Sequence, residues 1–88
     1  MNDVRLGFVG VVIEERSRAE DVNRILSQFG EIIRGRISIP DQETGLAVIG
    51  LIVEGTNDQV GAMTGRLGNL SGVTVKSALT AKKIRKED

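Results

Sequence analysis

Two groups of charged and polar side chains could do chemistry in this chain, one after the first apolar run and one within the second. Their members are Glu14, Glu15, Arg16, Ser17, Arg34 and Arg36. The first group precedes a predicted helix, so its side chains and the free amides of the helix start could hold a small polar or anionic ligand. The two arginines alternate with apolar residues along a predicted strand. Both side chains would therefore project from the same face of that strand and could bind phosphate or carboxylate. We therefore predict ligand binding at these positions.

Each group also has a purely structural interpretation. Adjacent residues of a strand point to opposite faces, so Glu14 and Glu15 cannot form a facing acid pair and would be solvated residues beside a helix start. Arg34 and Arg36 could instead pair with acidic residues of a neighbouring subunit, which we favour over RNA binding. The chain has two Phe and no Tyr or Trp for base stacking. The sequence therefore argues against direct nucleic-acid binding.

No catalytic constellation stands out. Catalysis commonly needs a nucleophile beside a base, or two carboxylates with separated pKa values. The chain has no Cys and no His, which excludes thiolate metal sites and removes the commonest transition-metal ligand and general base. An acylphosphatase-type site would need an arginine and an asparagine in a glycine-rich loop after the first strand, where this chain is acidic. We predict no enzymatic activity, no cofactor and no metal.

Gly61, Gly65 and Gly68 only superficially resemble a phosphate-binding loop. They lie inside a helical pattern and lack the Gly-Lys-Ser/Thr ending of such loops. A glycine inside a helix costs about 1 kcal/mol relative to alanine, so three of them call for a reason. Their spacing places them near one side of the helix. We predict close packing there against the sheet, a neighbouring helix or a ligand.

The strands that must position these residues follow from the hydrophobic pattern. Residues 6–13 and 46–53 are apolar at successive positions, which is typical of central strands buried on both faces. Residues 32–39 and 73–80 alternate between apolar and polar, as half-exposed strands do. The turn-forming residues 40–45 join the second and third strands as a hairpin.

Two helices are predicted at residues 18–29 and 57–69, each with an apolar stripe at helical spacing. A hydroxyl residue followed three positions later by Glu or Gln is a capping box. The predicted boxes pair Ser17 with Glu20 and Thr56 with Gln59. Gly30 would end the first helix, and Phe29 on its stripe would lie in the core together with Phe8 of the first strand.

Strand, helix, strand, strand, helix, strand is the α+β ferredoxin-like βαββαβ order, with a four-stranded antiparallel or mixed sheet. Two crossovers place both helices on one face, and we expect the first and third strands to be central and parallel. The uncovered face would expose about half of their apolar side chains, and such a patch usually marks an interface. We predict a homo-oligomer, dimer or tetramer, formed through this sheet face with the edge arginines at its rim. The alternative is that the tail or loops cover the face.

Length and charge limit the remaining possibilities. With 88 residues, 40% of them hydrophobic and 27% charged, we assign residues 1–80 to one domain and residues 81–88 to a charged tail that frays. Twelve Lys+Arg balance twelve Asp+Glu, so no net charge draws the chain to nucleic acid or a membrane. A secretion leader and an apolar run of about 20 residues are both missing, so we expect a cytoplasmic location.

Residues 11–17, 25–29 and especially 58–76 resemble the iron-only hydrogenase system regulator family. In residues 58–76, DQVGAMTGRLGNLSGVTVK, a glycine-containing helix is followed by Gly72 and a closing Val-x-Val strand. The family is similar to the C-terminal domain of the nickel-responsive regulator and, more distantly, to ACT ligand-binding domains. The resemblance implies a ferredoxin-like fold, assembly through sheet faces and a regulatory role in which an effector alters assembly or partner contacts.

Two features depart from the nickel-responsive regulator. That regulator binds metal through His and Cys, which this chain lacks, so metal sensing is not carried over. The predicted first strand also starts a few residues after Met1, which leaves no room for a ribbon-helix-helix segment. Two functional hypotheses stay open: a module that binds a small-molecule effector, and a ligand-free adaptor that self-assembles and docks on a protein partner.

Overall fold

The computed structural model describes residues 3–80 and the backbone of residues 84–85. Its strands are β1 (Asp3–Ile13), β2 (Ile33–Pro40), β3 (Ala47–Gly55), β4 (Val73–Leu79) and β5 (Ile84–Arg85). Its helices are α1 (Ala19–Gln28) and α2 (Asn57–Gly68), and single 3₁₀ turns at Arg16–Arg18 and Gly30–Ile32 flank α1. Every predicted strand and helix is present, with ends that shift by a few residues. Neither helix is long and apolar enough to cross a membrane.

The sheet has the order β2-β3-β1-β4, with β5 beside the first residues of β1. β1 and β3 are central as predicted, but the prediction that they run parallel is wrong, because they pair antiparallel. β2 also pairs antiparallel with β3, so β1 and β2 share a direction and the hairpin reverses β3 between them. This is the split arrangement of the ferredoxin-like fold, which is confirmed.

The core lies between the helices and one face of the central strands. Leu51, Met63 and Leu67 are completely buried there. The other members of this core are Val9, Val11, Ile13, Val22, Ile25, Leu26, Ile32, Ile49, Val53, Val60 and Val73. Phe29 packs against this cluster, as predicted. The alternation of strand side chains therefore sends only every second residue of β1 and β3 into the core.

The two predicted capping boxes have different outcomes. Thr56 Oγ1 accepts a hydrogen bond from the Gln59 amide at 3.1 Å, and Gln59 Oε1 accepts one from the Thr56 amide at 2.9 Å, so this box is confirmed. The predicted Ser17 box is wrong. The 3₁₀ turn Arg16–Arg18 extends the helix at its start and places Ser17 inside that turn, so α1 has no side-chain cap.

β1 begins at Asp3, earlier than predicted, because residues 3 and 4 pair with residues 85 and 84. This short pairing differs from the frayed tail predicted for residues 81–88. Residues 81–83 and 86–88, the remainder of that tail, lie outside the described residues, as do residues 1 and 2.

Candidate functional site: the open sheet face and the Arg16 cleft

Large apolar side chains cover the sheet face that carries no helices, called here the open face. They are Leu6, Phe8, Ile37, Ile39, Val48 and Ile52, each between 39% and 70% exposed. Phe8 is paired with Ile52 and Val48 with Ile39 in the strand register. Because paired residues of neighbouring strands project to the same face, these side chains form one continuous surface. The apolar uncovered face expected from the sequence is therefore present in the chain.

Phe8 lies on the open face and is 46% exposed, so the prediction that it belongs to the core is wrong. Its ring extends over two glycines that face each other in the register, Gly10 and Gly50. A Cβ built on Gly50 would be 3.1 Å from the ring, and one built on Gly10 would be 3.2 Å from it. Because neither glycine has a side chain, the ring has room to lie flat against the sheet.

Arg34 and Arg36 do not share a face, contrary to the prediction. A β-bulge interrupts β2 between Ile33 and Gly35 and shifts the alternation of side chains. Arg34 Nε donates to Glu54 Oε1 at 3.0 Å, and Glu54 lies at the end of the open face. Arg36 turns to the helix side, where its Nη2 donates to Asn23 Oδ1 of α1 at 2.6 Å. The two guanidiniums therefore cannot act on one ligand.

The side chains of the loop after β1 point in opposite directions. Glu14 Oε1 accepts a weak hydrogen bond from Thr74 Oγ1 at 3.4 Å, beside β4. The side chain of Glu15 packs on Gly72, where a Cβ would be only 2.6 Å from Glu15 Cγ. Ser17 is exposed in the 3₁₀ turn. The acidic residues therefore face the α2–β4 connection, away from Arg16.

Arg16 lies in a cleft of about 470 Å³ between the start of α1 and the β2–β3 hairpin. The lining residues are Ile13, Arg16, Ala19, Pro40, Asp41, Gln42, Gly45, Leu46 and Ala47. Gly45 has a positive φ of 77°, and the position its Cβ would take is 3.6 Å from Arg16 Nη2. The cleft thus combines one guanidinium with an apolar floor and a polar hairpin, an arrangement that can hold a small anion with an apolar part.

The hairpin turn that forms the far wall of this cleft is held by its own hydrogen bonds. The Gly45 amide donates to Asp41 O at 2.9 Å, and the Asp41 amide donates to Leu46 O at 2.7 Å. Thr44 Oγ1 donates to Asp41 Oδ2 at 2.6 Å. The turn at residues 40–45 is present as predicted, whereas its position beside Arg16 was not predicted. Pairing of Ile13 with Ala47 brings it beside Arg16, and that long-range contact has no local sequence signal.

Of the predicted ligand-binding residues, the structure places only Arg16 in the cleft. The prediction that Gly61, Gly65 and Gly68 allow close packing is not met within the described chain, because a Cβ on any of them would have no atom within 4 Å beyond its chain neighbours and the nearby backbone of the same helix. These glycines line a shallow groove beside β4. Among the described residues, no group of three or more acidic side chains could hold a metal ion.

Comparison with known proteins gives a family match and similar solved structures. Residues 5–77 match the family described as "TM1266-like: Iron-only hydrogenase system regulator, putative". The chain is similar to the solved structure of the uncharacterized protein TM1266 from Thermotoga maritima. That match has a TM-score of 0.81 and 38% sequence identity, and covers 86% of this chain and 96% of that one. No curated protein sequence matches.

Two further structures share the fold at low sequence identity. A formyltetrahydrofolate deformylase from Pseudomonas putida KT2440 matches with a TM-score of 0.60 and 14% identity, over 82% of this chain and 28% of the enzyme. CPII, a nitrogen regulatory PII-like protein from Thiomonas intermedia K12 bound to ADP, AMP and bicarbonate, matches with a TM-score of 0.52 and 17% identity. That match covers 90% of this chain and 94% of CPII. These likenesses concern the fold alone.

Proposed function

The chain belongs to the TM1266-like family of iron-only hydrogenase system regulators, and from this premise we propose that it is a small regulatory domain that self-associates through its open face. The regulated system would be of the hydrogenase type named by the family. We also propose that the chain has no enzymatic activity of its own. The deformylase likeness does not weaken this proposal, because it covers 28% of that enzyme and concerns the fold alone.

The observation that carries the proposal is the apolar character of the open face. Large exposed side chains come from β1, β2 and β3, and no segment among residues 3–80 covers them. An apolar side chain that becomes fully buried contributes about 1.5–3 kcal/mol, so covering this surface strongly favours association. Two such sheets can pack face to face at about 10 Å. A second copy of the chain supplies a matching apolar face, because the same surface occurs on both partners.

Sedimentation velocity on matched lysine variants tests this proposal. Ile52 and Val48 lie on the open face, whereas Ala62 is exposed on α2. We expect the native chain to sediment as a dimer or larger at micromolar concentration, and Ile52→Lys or Val48→Lys to sediment as a folded monomer with an unchanged far-UV spectrum. Ala62→Lys should assemble like the native chain. A native chain that is monomeric at these concentrations would refute the proposal.

We further propose that the Arg16 cleft binds a small anionic effector. The support is its geometry: a guanidinium beside the hairpin, above a floor that includes Ile13 and Ala47. CPII, bound to ADP, AMP and bicarbonate, shares the fold, and these anions are suitable first probes.

Thermal-shift measurements with amino acids, nucleotides, bicarbonate and metal ions test the effector proposal. A ligand at one hundred times its Kd stabilises a native protein by about 2.7 kcal/mol, which raises the Tm of a domain this size by about 15 °C. Arg16→Gln should abolish the shift, while the control Arg5→Gln, at the other end of β1, should retain it. If Arg16→Gln keeps the full shift, the ligand binds elsewhere and the cleft proposal is wrong.

The ligand-free adaptor is the alternative to the effector module. It is favoured by the exposure of Arg16 and by the dispersal of the other predicted site residues over separate surfaces. In this case no tested compound changes the Tm, and the domain acts only through assembly and contact with a protein partner. The thermal-shift experiment therefore separates the two candidates.

A further inference from the structure

We infer that the groove between α1 and α2, on the outer surface of the helix layer, docks an acidic segment of a protein partner. The groove has a volume of about 360 Å³. Its lining residues are Asp21, Arg24, Ile25, Gln28, Arg66, Asn69 and Leu70. It lies on the side of the molecule opposite the open face, so face-to-face association leaves it accessible. The inference goes beyond the proposed assembly and does not depend on it.

The charge of this groove is positive in a chain whose net charge is zero. Arg24 of α1 and Arg66 of α2 contribute guanidiniums from both walls, and Arg18 pairs with the lining residue Asp21. Asp21 pairs with Arg18 at 3.3 Å and with Arg24 at 2.6 Å, and thus one carboxylate is shared by two guanidiniums. Even with Glu20 of the same helix counted, the cations outnumber the anions. Carboxylates of a partner would complete the charge balance.

These guanidiniums are held in place before a partner arrives. Arg66 donates to Gln28 Oε1, and its guanidinium lies 5.9 Å from the centre of the Phe29 ring. Arg18 donates to Ser71 O at 3.1 Å and to Ser71 Oγ at 2.9 Å. A restrained side chain loses less conformational entropy on binding than a mobile one. Each guanidinium has five N–H donors, so donors remain for a bound carboxylate.

The floor of the groove decides what kind of acidic partner fits. Ile25 is buried and Leu70 is half-buried, so the floor between the arginines is apolar. A helix or extended segment with an apolar side chain flanked by Glu or Asp would contact both features. Nucleic acid fits less well, because Arg66 covers the ring of Phe29 on which a base could stack.

The test uses a synthetic peptide of about 15 residues with Glu and Leu at helical spacing. The comparison probes are the same peptide with Gln in place of Glu and a short DNA duplex. Binding to the full chain is measured by fluorescence anisotropy at low salt, and the contact surface is mapped by amide NMR shifts. We expect the Glu peptide to bind at least about tenfold more tightly than the Gln peptide. It should also change the NMR chemical shifts of amides of α1 and α2 around the groove.

Matched variants make the result specific to the groove. Arg24→Gln should weaken the Glu peptide about tenfold without a folding defect, because the Arg24 side chain is 65% exposed. Arg36→Gln removes the same charge on the other side of α1, where Arg36 bonds Asn23, and should leave binding unchanged. The inference is overturned by equal affinity for the Gln peptide, by tighter binding of DNA, by equal loss in both variants, or by no saturable binding at millimolar peptide.

Discussion

The ring of Phe8 lies against the backbone of Gly50, so that a Cβ on Gly50 would be 3.1 Å from the ring atom Cε1. The glycine and the aromatic ring belong to neighbouring central strands, and the contact keeps the ring down on the open face. A ring held close to the sheet leaves a flatter apolar surface than one that stands upright. Flat, complementary surfaces exclude water best when two copies meet.

Gly50→Ala should therefore weaken self-association more than it weakens folding. The new Cβ pushes the exposed ring away from the sheet, which is an inexpensive movement within the monomer because Phe8 is only partly buried. We expect a change of about 1 kcal/mol or less in the free energy of unfolding. At micromolar concentration, sedimentation should show a clearly larger fraction of monomer for this variant than for the native chain.

Gly35→Ala is the matched control for Gly50→Ala. Gly35 lies on β2 beside Ile52, and a Cβ there would be at an ordinary distance of 3.8 Å from that side chain. Association should persist in this variant. If both variants assemble equally well, the position of the Phe8 ring has no role at the interface.

The cap of α2 should matter for stability, whereas Ser17 should not. Thr56→Ala removes one half of the reciprocal capping box and should lower the free energy of unfolding by about 1 kcal/mol, as measured by urea denaturation. Ser17 makes no cap, so Ser17→Ala should change the same quantity by a few tenths of a kcal/mol at most. Equal losses in the two variants would contradict the different roles described for these residues.

Two glycine replacements should have opposite effects on stability. Gly72 has a φ of 76°, and a Cβ there would meet Glu15 Cγ at 2.6 Å, so Gly72→Ala should cost about 2 kcal/mol or more. Gly65 is helical and a Cβ there meets nothing within 4 Å, so Gly65→Ala should stabilise the chain by about 0.5–1 kcal/mol. Urea denaturation measures both free energies. A Gly65→Ala variant that loses assembly would show that a partner packs on α2.

The Arg34–Glu54 ion pair should contribute little to folding. The Arg34 side chain is about half exposed, while that of Glu54 is 15% exposed, so solvent screens the pair from one side. We expect Arg34→Gln to change the free energy of unfolding by about 1 kcal/mol or less, with a smaller effect in high salt. A loss independent of salt would contradict a screened surface pair.

Much of the fold could be predicted from periodicity. The apolar runs of β1 and β3 and the alternating pattern of β2 and β4 predicted which strands are central and that one sheet face is apolar and uncovered, and the helical stripes predicted α1 and α2. The strand direction could also have been deduced, because a hairpin after a crossover reverses β3 relative to β1. The single-domain boundary at residue 80 and the cytoplasmic location stay predictions.

The candidate sites were less predictable because they depend on features without a local signature. A one-residue bulge in β2 separates Arg34 from Arg36, and a 3₁₀ turn removes Ser17 from the cap position. Phe8 is of a residue type that is common in cores. It lies on the open face only because successive strand residues point to opposite faces and its neighbour Val9 points into the core. The Arg16 cleft and the α1–α2 groove arise from contacts between segments distant in sequence.

The most direct test of the central claim is an isotope-filtered NMR experiment on a mixture of ¹³C-labelled and unlabelled chains, which detects contacts between subunits only. Self-association through the open face predicts intermolecular NOEs from the methyl groups of Val48 and Ile52 and from the ring of Phe8. Intermolecular NOEs confined to the helices, or none under conditions where the chain is shown to be assembled, would contradict it.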